Sequence, residues 1–78
     1  MPNLELYGTA GCPYTSEMRE WLEWSGKDFT EFDVESDQGA RARMQEMVTA
    51  PYTVPILVED GKVIRVGWQG RGCMVAAK

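Results

Sequence analysis

Tyr7-Gly8-Thr9-Ala10-Gly11-Cys12-Pro13-Tyr14 is the stretch on which the reading of the fold turns. Ahead of it, Leu4-Glu5-Leu6-Tyr7 alternates and reads as a strand. Gly8 to Gly11 breaks that strand. Pro13 suits the first turn of a helix, where its missing N–H has no partner in any case. From there Tyr14, Met18, Trp21, Leu22 and Ser25 recur at helical spacing. Glu17 and Glu20 stand near the start, where the helix dipole favours acids, and Gly26 ends the helix. The order strand, glycine loop, helix puts Cys12 at a helix N-terminus.

Outward from this unit, Phe29 to Val34 is rich in aromatic and β-branched residues and predicts a second strand. Ser36 or Asp37 can cap a second helix whose buried face is Ala40, Met44, Met47 and Val48. Ala50 to Thr53 reads as a loop and Val54 to Glu59 as an apolar strand. Asp60-Gly61 is a two-residue hairpin turn, and Lys62 to Val66 is the returning strand. Gly67 to Gly72 is a glycine-rich connection, after which Cys73 to Lys78 predicts a short final helix or a frayed tail. The expected fold is α/β: a βαβ unit, then α-ββ-α, with a four-stranded mixed sheet and helices on both faces. The first unit should be parallel and right-handed. Residues 1–78 form a single domain, without a linker or internal repeat.

Composition narrows the chemistry. No histidine is present, so His-ligated metal sites and Ser-His or Cys-His hydrolase pairs are excluded. Two cysteines cannot enclose a structural zinc alone, nor form a disulfide-rich scaffold, so no metal is expected. Residues 1–37 carry nine acids against two bases, and residues 38–78 three acids against six bases. No continuous basic stripe results, which argues against a nucleic-acid partner. No apolar run approaches the ~20 residues of a membrane span. The first residues lack the pattern of a secretory signal. The expectation is a cytoplasmic monomer in a reducing compartment, with both thiols free.

Cys12 is the candidate nucleophile. At a helix N-terminus, unpaired N–H groups and the dipole stabilise a thiolate, and such cysteines have pKa values lowered from about 8.5 into the range ~3.5–7.5. The thiolate is the attacking species in disulfide exchange. The alternative is a small buried cysteine used for packing.

The stretch Tyr7 to Tyr14 resembles the active-site segment of glutaredoxins, and Thr53-Val54-Pro55 resembles that family's Thr-Val-Pro loop. Asp60-Gly61 and Gly67 fit the same pattern, so the resemblance spans about residues 3–72. It implies a thioredoxin-like fold, a cis peptide bond before Pro55, and main-chain hydrogen bonds from Val54 to an extended substrate. Thr53, Val54, Pro55, Gly67 and Trp68 would then line the substrate site, with Tyr14 as a wall. Arg41, Arg43 and Arg71 are candidates for a substrate carboxylate. The sequence departs from the family pattern at several points. Thr15 replaces the second cysteine of Cys-Pro-Tyr-Cys, which makes this a monothiol variant similar to a selenoprotein-related branch with Cys-Pro-Tyr-Thr. Thr15 Oγ1 is a candidate donor to the Cys12 thiolate. Trp68 follows Gly67 where the family has a second glycine and then acids that grip the amine of glutathione. Trp68-Gln69-Gly70-Arg71 is instead similar to a segment of small redoxins reduced by thioredoxin reductase.

Cys73 follows the glycine loop that, in the resembled fold, runs beside the active site. It is a candidate resolving thiol that would form a disulfide with Cys12; the alternative is an ordinary free cysteine. The resemblance implies a thiol–disulfide oxidoreductase acting on protein disulfides or glutathione-mixed disulfides. Glutathione would be the co-substrate, or a thioredoxin-type system the reductant. The alternatives are a partner-specific redoxin and a glutathione-dependent iron–sulfur cluster carrier.

Overall fold

Leu4–Gly8 forms strand β1, and its alternation decides both layers of the core. Leu4 and Leu6 point to one side, where Met18 and Leu22 of helix α1 (Pro13–Trp24) cover them. Tyr7 points to the other side, under Ala40 and Met44 of helix α2 (Gln38–Met47). The structure, a computed structural model, describes residues 3–75.

Strand β2 (Phe29–Asp33) pairs with β1 in parallel, Leu4 opposite Phe29 and Gly8 opposite Asp33. β3 (Tyr52–Val54) and β4 (Ile56–Glu59) follow α2. β4 lies antiparallel on the other side of β1, with Leu4 opposite Glu59 and Tyr7 opposite Ile56. β5 (Lys62–Val66) returns along β4 through Asp60 and Gly61, whose φ values of 52° and 82° suit a tight hairpin. The sheet order is β2-β1-β4-β5. The central strands are therefore covered on both faces: Leu57 joins the α1 side, and Ile56 and Val58 join the α2 side. The mixed sheet with helices on both faces is the architecture expected from the sequence.

The helix ends follow local rules. Gly26, at φ 72°, donates its N–H to Glu23 O and the next amide, Lys27, donates to Leu22 O, which closes α1 with a Schellman motif. Asp37 caps α2 by accepting from the Ala40 amide at 3.0 Å. Met47 packs on the core edge with partial exposure, as its helical spacing suggested; Val48, expected on the same helix face, is instead the extended residue that follows α2 and packs on the same edge.

Two expectations are corrected. Val54 to Glu59 is not one strand: Pro55 has no N–H for a ladder and separates β3 from β4. Tyr52 and Thr53, expected in a loop, belong to β3. The second correction concerns the end of the chain. Cys73–Val75 is a strand, β6, rather than the start of a helix, and it pairs antiparallel with β3. Residues 76–78 of the expected helix lie outside the described residues. So few residues gain little from local helical bonds. The strand instead satisfies the edge of β3 and buries Val75, 6% exposed, in the α2-side core.

Tyr7 ties the α2 side together. Its ring stacks on Phe32 at 5.0 Å, and Arg43 lies 4.7 Å over the Phe32 ring. The Tyr7 hydroxyl donates to Glu5 Oε1 and accepts from Arg43 Nε, both at 3.2 Å. Burial is the main reason that its pKa is raised; the Arg43 hydrogen bond acts in the opposite sense. A raised acid pKa favours the folded state while the phenol is neutral. That stability is fully present below about pH 10, the unfolded value, and is lost as pH rises through the higher folded value. Wild type should therefore lose stability above pH 10 more steeply than Tyr7→Phe in urea titrations at a series of pH values. Asp37→Ala should lower the unfolding free energy by about 1 kcal/mol, seen as a lower urea midpoint with unchanged slope.

Candidate active site

Because Tyr7 faces Ile56, the end of β1 and the start of β4 lie side by side. The loop that leaves β1 and the Val54-Pro55 segment that enters β4 therefore meet at one end of the sheet. Cys12 has the extended backbone of a helix N-cap, φ −91° and ψ 116°. Its amide donates to Thr9 O at 3.3 Å, and its carbonyl accepts from Ser16, the first bond of α1. Pro13 occupies the first turn, and no side chain caps this terminus. The sulfur thus sits at the positive end of α1.

On the opposite side, the peptide bond before Pro55 is cis, as the motif implied; that before Pro51 is cis as well. Gly67 donates its amide to Pro55 O at 2.7 Å, which brings the predicted Gly67 to this loop. Trp68 and Arg71 then bond each other in both directions, with Gln69 and Gly70 at positive φ between them. This tight turn delivers Gly72 and β6. In the β3–β6 pair, Val54 stands opposite Cys73. The Cys73 sulfur is bonded to that of Cys12, with Cα atoms 6.0 Å apart, within the ordinary span of a disulfide. The expectation of two free thiols does not hold in this structure, where the two candidate thiols are joined. Cys12 is only 1% exposed, and Cys73 is partly buried.

The remaining candidates divide. Tyr14 packs on the same cluster as Cys12, Val54 and Cys73. Thr15 is fully buried against the end of β1: a β-carbon added at Gly8 would come within 2.3 Å of Thr15 Cγ2. Its hydroxyl has no hydrogen-bond partner among the described residues. Trp68 points elsewhere. Its ring lies 5.7 Å from that of Trp21 and packs on the α1-side cluster, opposite the one that holds Cys12. Of the candidate arginines, Arg43 is engaged with Tyr7 and Phe32, and Arg41 Nε donates to Val34 O at 2.9 Å. Among the described residues, no group of acids and cysteines could hold a metal ion.

Sequence reasoning missed Val75, and it gave Gly72 only as part of a flexible connection that could bend Cys73 toward Cys12. A β-carbon at Gly72 would lie 2.5 Å from Val54 O and 2.6 Å from Thr53 Cγ2, so only glycine lets the chain pass this close to β3. Val75 anchors β6 in the core. The sequence carries faint signals for both, a glycine directly before the cysteine and a β-branched residue two places after it.

The bond between Cys12 and Cys73, 61 residues apart, restricts the unfolded chain. Oxidised protein should be more stable than reduced protein by up to about 4 kcal/mol in the chain-entropy model, read from urea midpoints with and without a reductant.

Known proteins share this fold. The family model described as Glutaredoxin matches residues 4–64. An uncharacterized glutaredoxin-like 8.6 kDa protein in the rubredoxin operon of Clostridium pasteurianum is 28% identical over 61 residues, which is 78% of this chain and 80% of that one. Among solved structures, a mutant of the thioredoxin-like protein BC3987 has a TM-score of 0.76 at 33% identity, over 88% of this chain and 86% of that one. The glutaredoxin of Archaeoglobus fulgidus has a TM-score of 0.69 at 22% identity, over 87% and 77% of the two chains, and shares the fold. The family match ends before β6, so Gly72 and Cys73 lie beyond it. With the family model matching most of its length, this chain belongs to the glutaredoxin family.

Proposed function

We propose that the chain is a thiol–disulfide oxidoreductase in which Cys12 attacks the substrate disulfide and Cys73 resolves the product. The observation that carries this reading is the bond between Cys12 at the start of α1 and Cys73 opposite Val54. Thr15 leaves the Cys-Pro-Tyr-Thr segment with a single thiol, so the second thiol has to come from elsewhere. Cys73 supplies it from the C-terminal side of the fold.

The chemistry balances with two protein thiols. The Cys12 thiolate attacks one sulfur of a substrate disulfide and expels the other as a thiolate. The Cys73 thiolate then attacks the Cys12 sulfur of the mixed disulfide. The second substrate thiolate leaves, and the Cys12–Cys73 disulfide forms. Two electrons pass to the substrate, and an external thiol reductant restores the protein. The substrates are protein disulfides or glutathione-mixed disulfides, and the reductant is glutathione or a thioredoxin-type dithiol. An internal disulfide suits a dithiol reductant, and so does the lack of acids after Gly67 to hold the amine of glutathione. Reduction of the oxidised protein by one system and not by the other identifies the electron source. No helix among the described residues is long and apolar enough to cross a membrane.

A glutathionylated model peptide tests the reading. With a dithiol reductant, wild type should deglutathionylate the peptide catalytically and Cys12→Ser should have no activity above background. Without the reductant, Cys73→Ser should complete the first exchange and accumulate a stable adduct on Cys12, seen by intact mass. A fully active Cys12→Ser variant would refute the assignment.

A further inference from the structure

The pairing of β6 with β3 puts a segment of this chain where the proposed reaction needs its substrate, an inference that rests on the role of Cys12 given above. The main chain of β3 beside Pro55 is the edge along which an extended substrate would pair. β6 already runs antiparallel along it, with Tyr52 opposite Val75, Thr53 opposite Met74 and Val54 opposite Cys73. The sulfur it presents is the one bonded to Cys12. One edge accepts one strand at a time, because each main-chain group there has a single outward direction for a ladder bond.

We propose that β6 is an internal substrate: it occupies the substrate edge of β3, is displaced by an incoming cysteine-bearing segment, and returns to deliver Cys73. Its contacts suit both movements. Among the described residues, β6 has three residues, pairs with β3 alone, and is not part of the four-stranded sheet. Met74 is 65% exposed. The closed turn from Trp68 to Arg71 leaves Gly72 as the joint on which the strand can swing. Val75 in the core and the Thr53 Oγ1 hydrogen bond to Met74 Sδ give β6 a defined seat to which it returns. In the oxidised protein the disulfide fixes the strand and closes the edge. Reduction to two thiols frees it, so a substrate can enter only after the protein is charged.

The same geometry names the class of substrate. The strand on this edge has no room for a side chain on the residue before its cysteine, because a β-carbon there meets Val54 O and Thr53 Cγ2. The preferred substrate is an extended polypeptide whose reactive cysteine directly follows a glycine, as Cys73 follows Gly72. When such a segment exchanges onto Cys12 it displaces β6. When β6 returns, the Cys73 thiolate attacks the Cys12 sulfur and the segment leaves as a thiolate, so atoms and electrons balance as in the scheme above.

The test uses the full chain carrying Cys73→Ser, so that adducts on Cys12 persist. One sample receives the acetylated and amidated peptide Gly-Cys-Met-Val, activated as its 2-pyridyl disulfide. A second receives a methylthio group on Cys12, which is too small to reach the edge. Backbone amide exchange over residues 73–75 is followed by NMR. The peptide adduct should speed exchange there by about tenfold or more, and the methylthio adduct should not. The peptide Ala-Cys-Met-Val should form its adduct about tenfold more slowly than the glycine peptide. In the chain with both cysteines, Gly72→Ala should let the Cys12–Cys73 disulfide open at about tenfold lower dithiothreitol. A peptide adduct that leaves exchange over residues 73–75 unchanged overturns the shared edge while the exchange role of Cys12 stands. Equal rates for the two peptides overturn the substrate class. A Cys12 that takes up neither peptide nor methylthio group overturns the exchange role itself.

Discussion

Tyr7 faces Ile56 across the centre of the sheet, and the geometry of the site follows from that register. β1 runs toward this end of the sheet and β4 runs away from it. The residues after β1 and before β4 are thus neighbours, although more than forty positions separate Gly8 from Pro55 along the chain. The register is held by burial on both faces. Leu6 and Leu57 pack under α1, while Tyr7, Ile56 and Val58 pack under α2. A slip of one residue would reverse every side chain and expose both layers. The hydrophobic core that stabilises the domain is therefore also what brings the Cys12 loop to the Val54-Pro55 loop.

On that frame the local chemistry is set by small residues at close approaches. Thr15 sits on Gly8, which leaves no space for a side chain between helix and strand and fixes the first turn of α1 behind Cys12. Gly72 does the same for β6 against β3. The buried hydroxyl of Thr15, without a hydrogen-bond partner among the described residues, is a cost that an apolar side chain there would avoid. It lies three residues after Cys12, the place where dithiol members of the family carry their second cysteine.

Thr15 leaves the Cys-Pro-Tyr-Thr segment with one thiol, and the second thiol of the chain, Cys73, stands on β6. A resolving cysteine inside the first helical turn would move rigidly with Cys12. Cys73 is carried on a strand that pairs with β3 outside the main sheet, after a tight turn and a glycine. The bond between Cys12 and Cys73 also ties β6 to the start of α1.

From the sequence alone, the βαβ unit, the hairpin, the α2 face and the position of Cys12 were legible. Each rests on a short-range rule: alternation in Leu4 to Tyr7, Pro13 at a helix start, Asp37 as a cap, Asp60-Gly61 as a turn. The Thr53-Val54-Pro55 motif was legible through its resemblance, and Cys73 could be named as a partner for Cys12 without fixing where it lay. The strand character of Cys73–Val75 was not legible, since so short a run carries only a faint preference and pairs because β3 offers an edge. Nor was the fate of Trp68, which a one-dimensional pattern put beside the substrate and the packing put against Trp21. Local propensity and periodicity determine what a segment can form; which of two distant segments shares an edge, or which face a ring is buried on, is decided only when the core closes and the remaining backbone groups find partners.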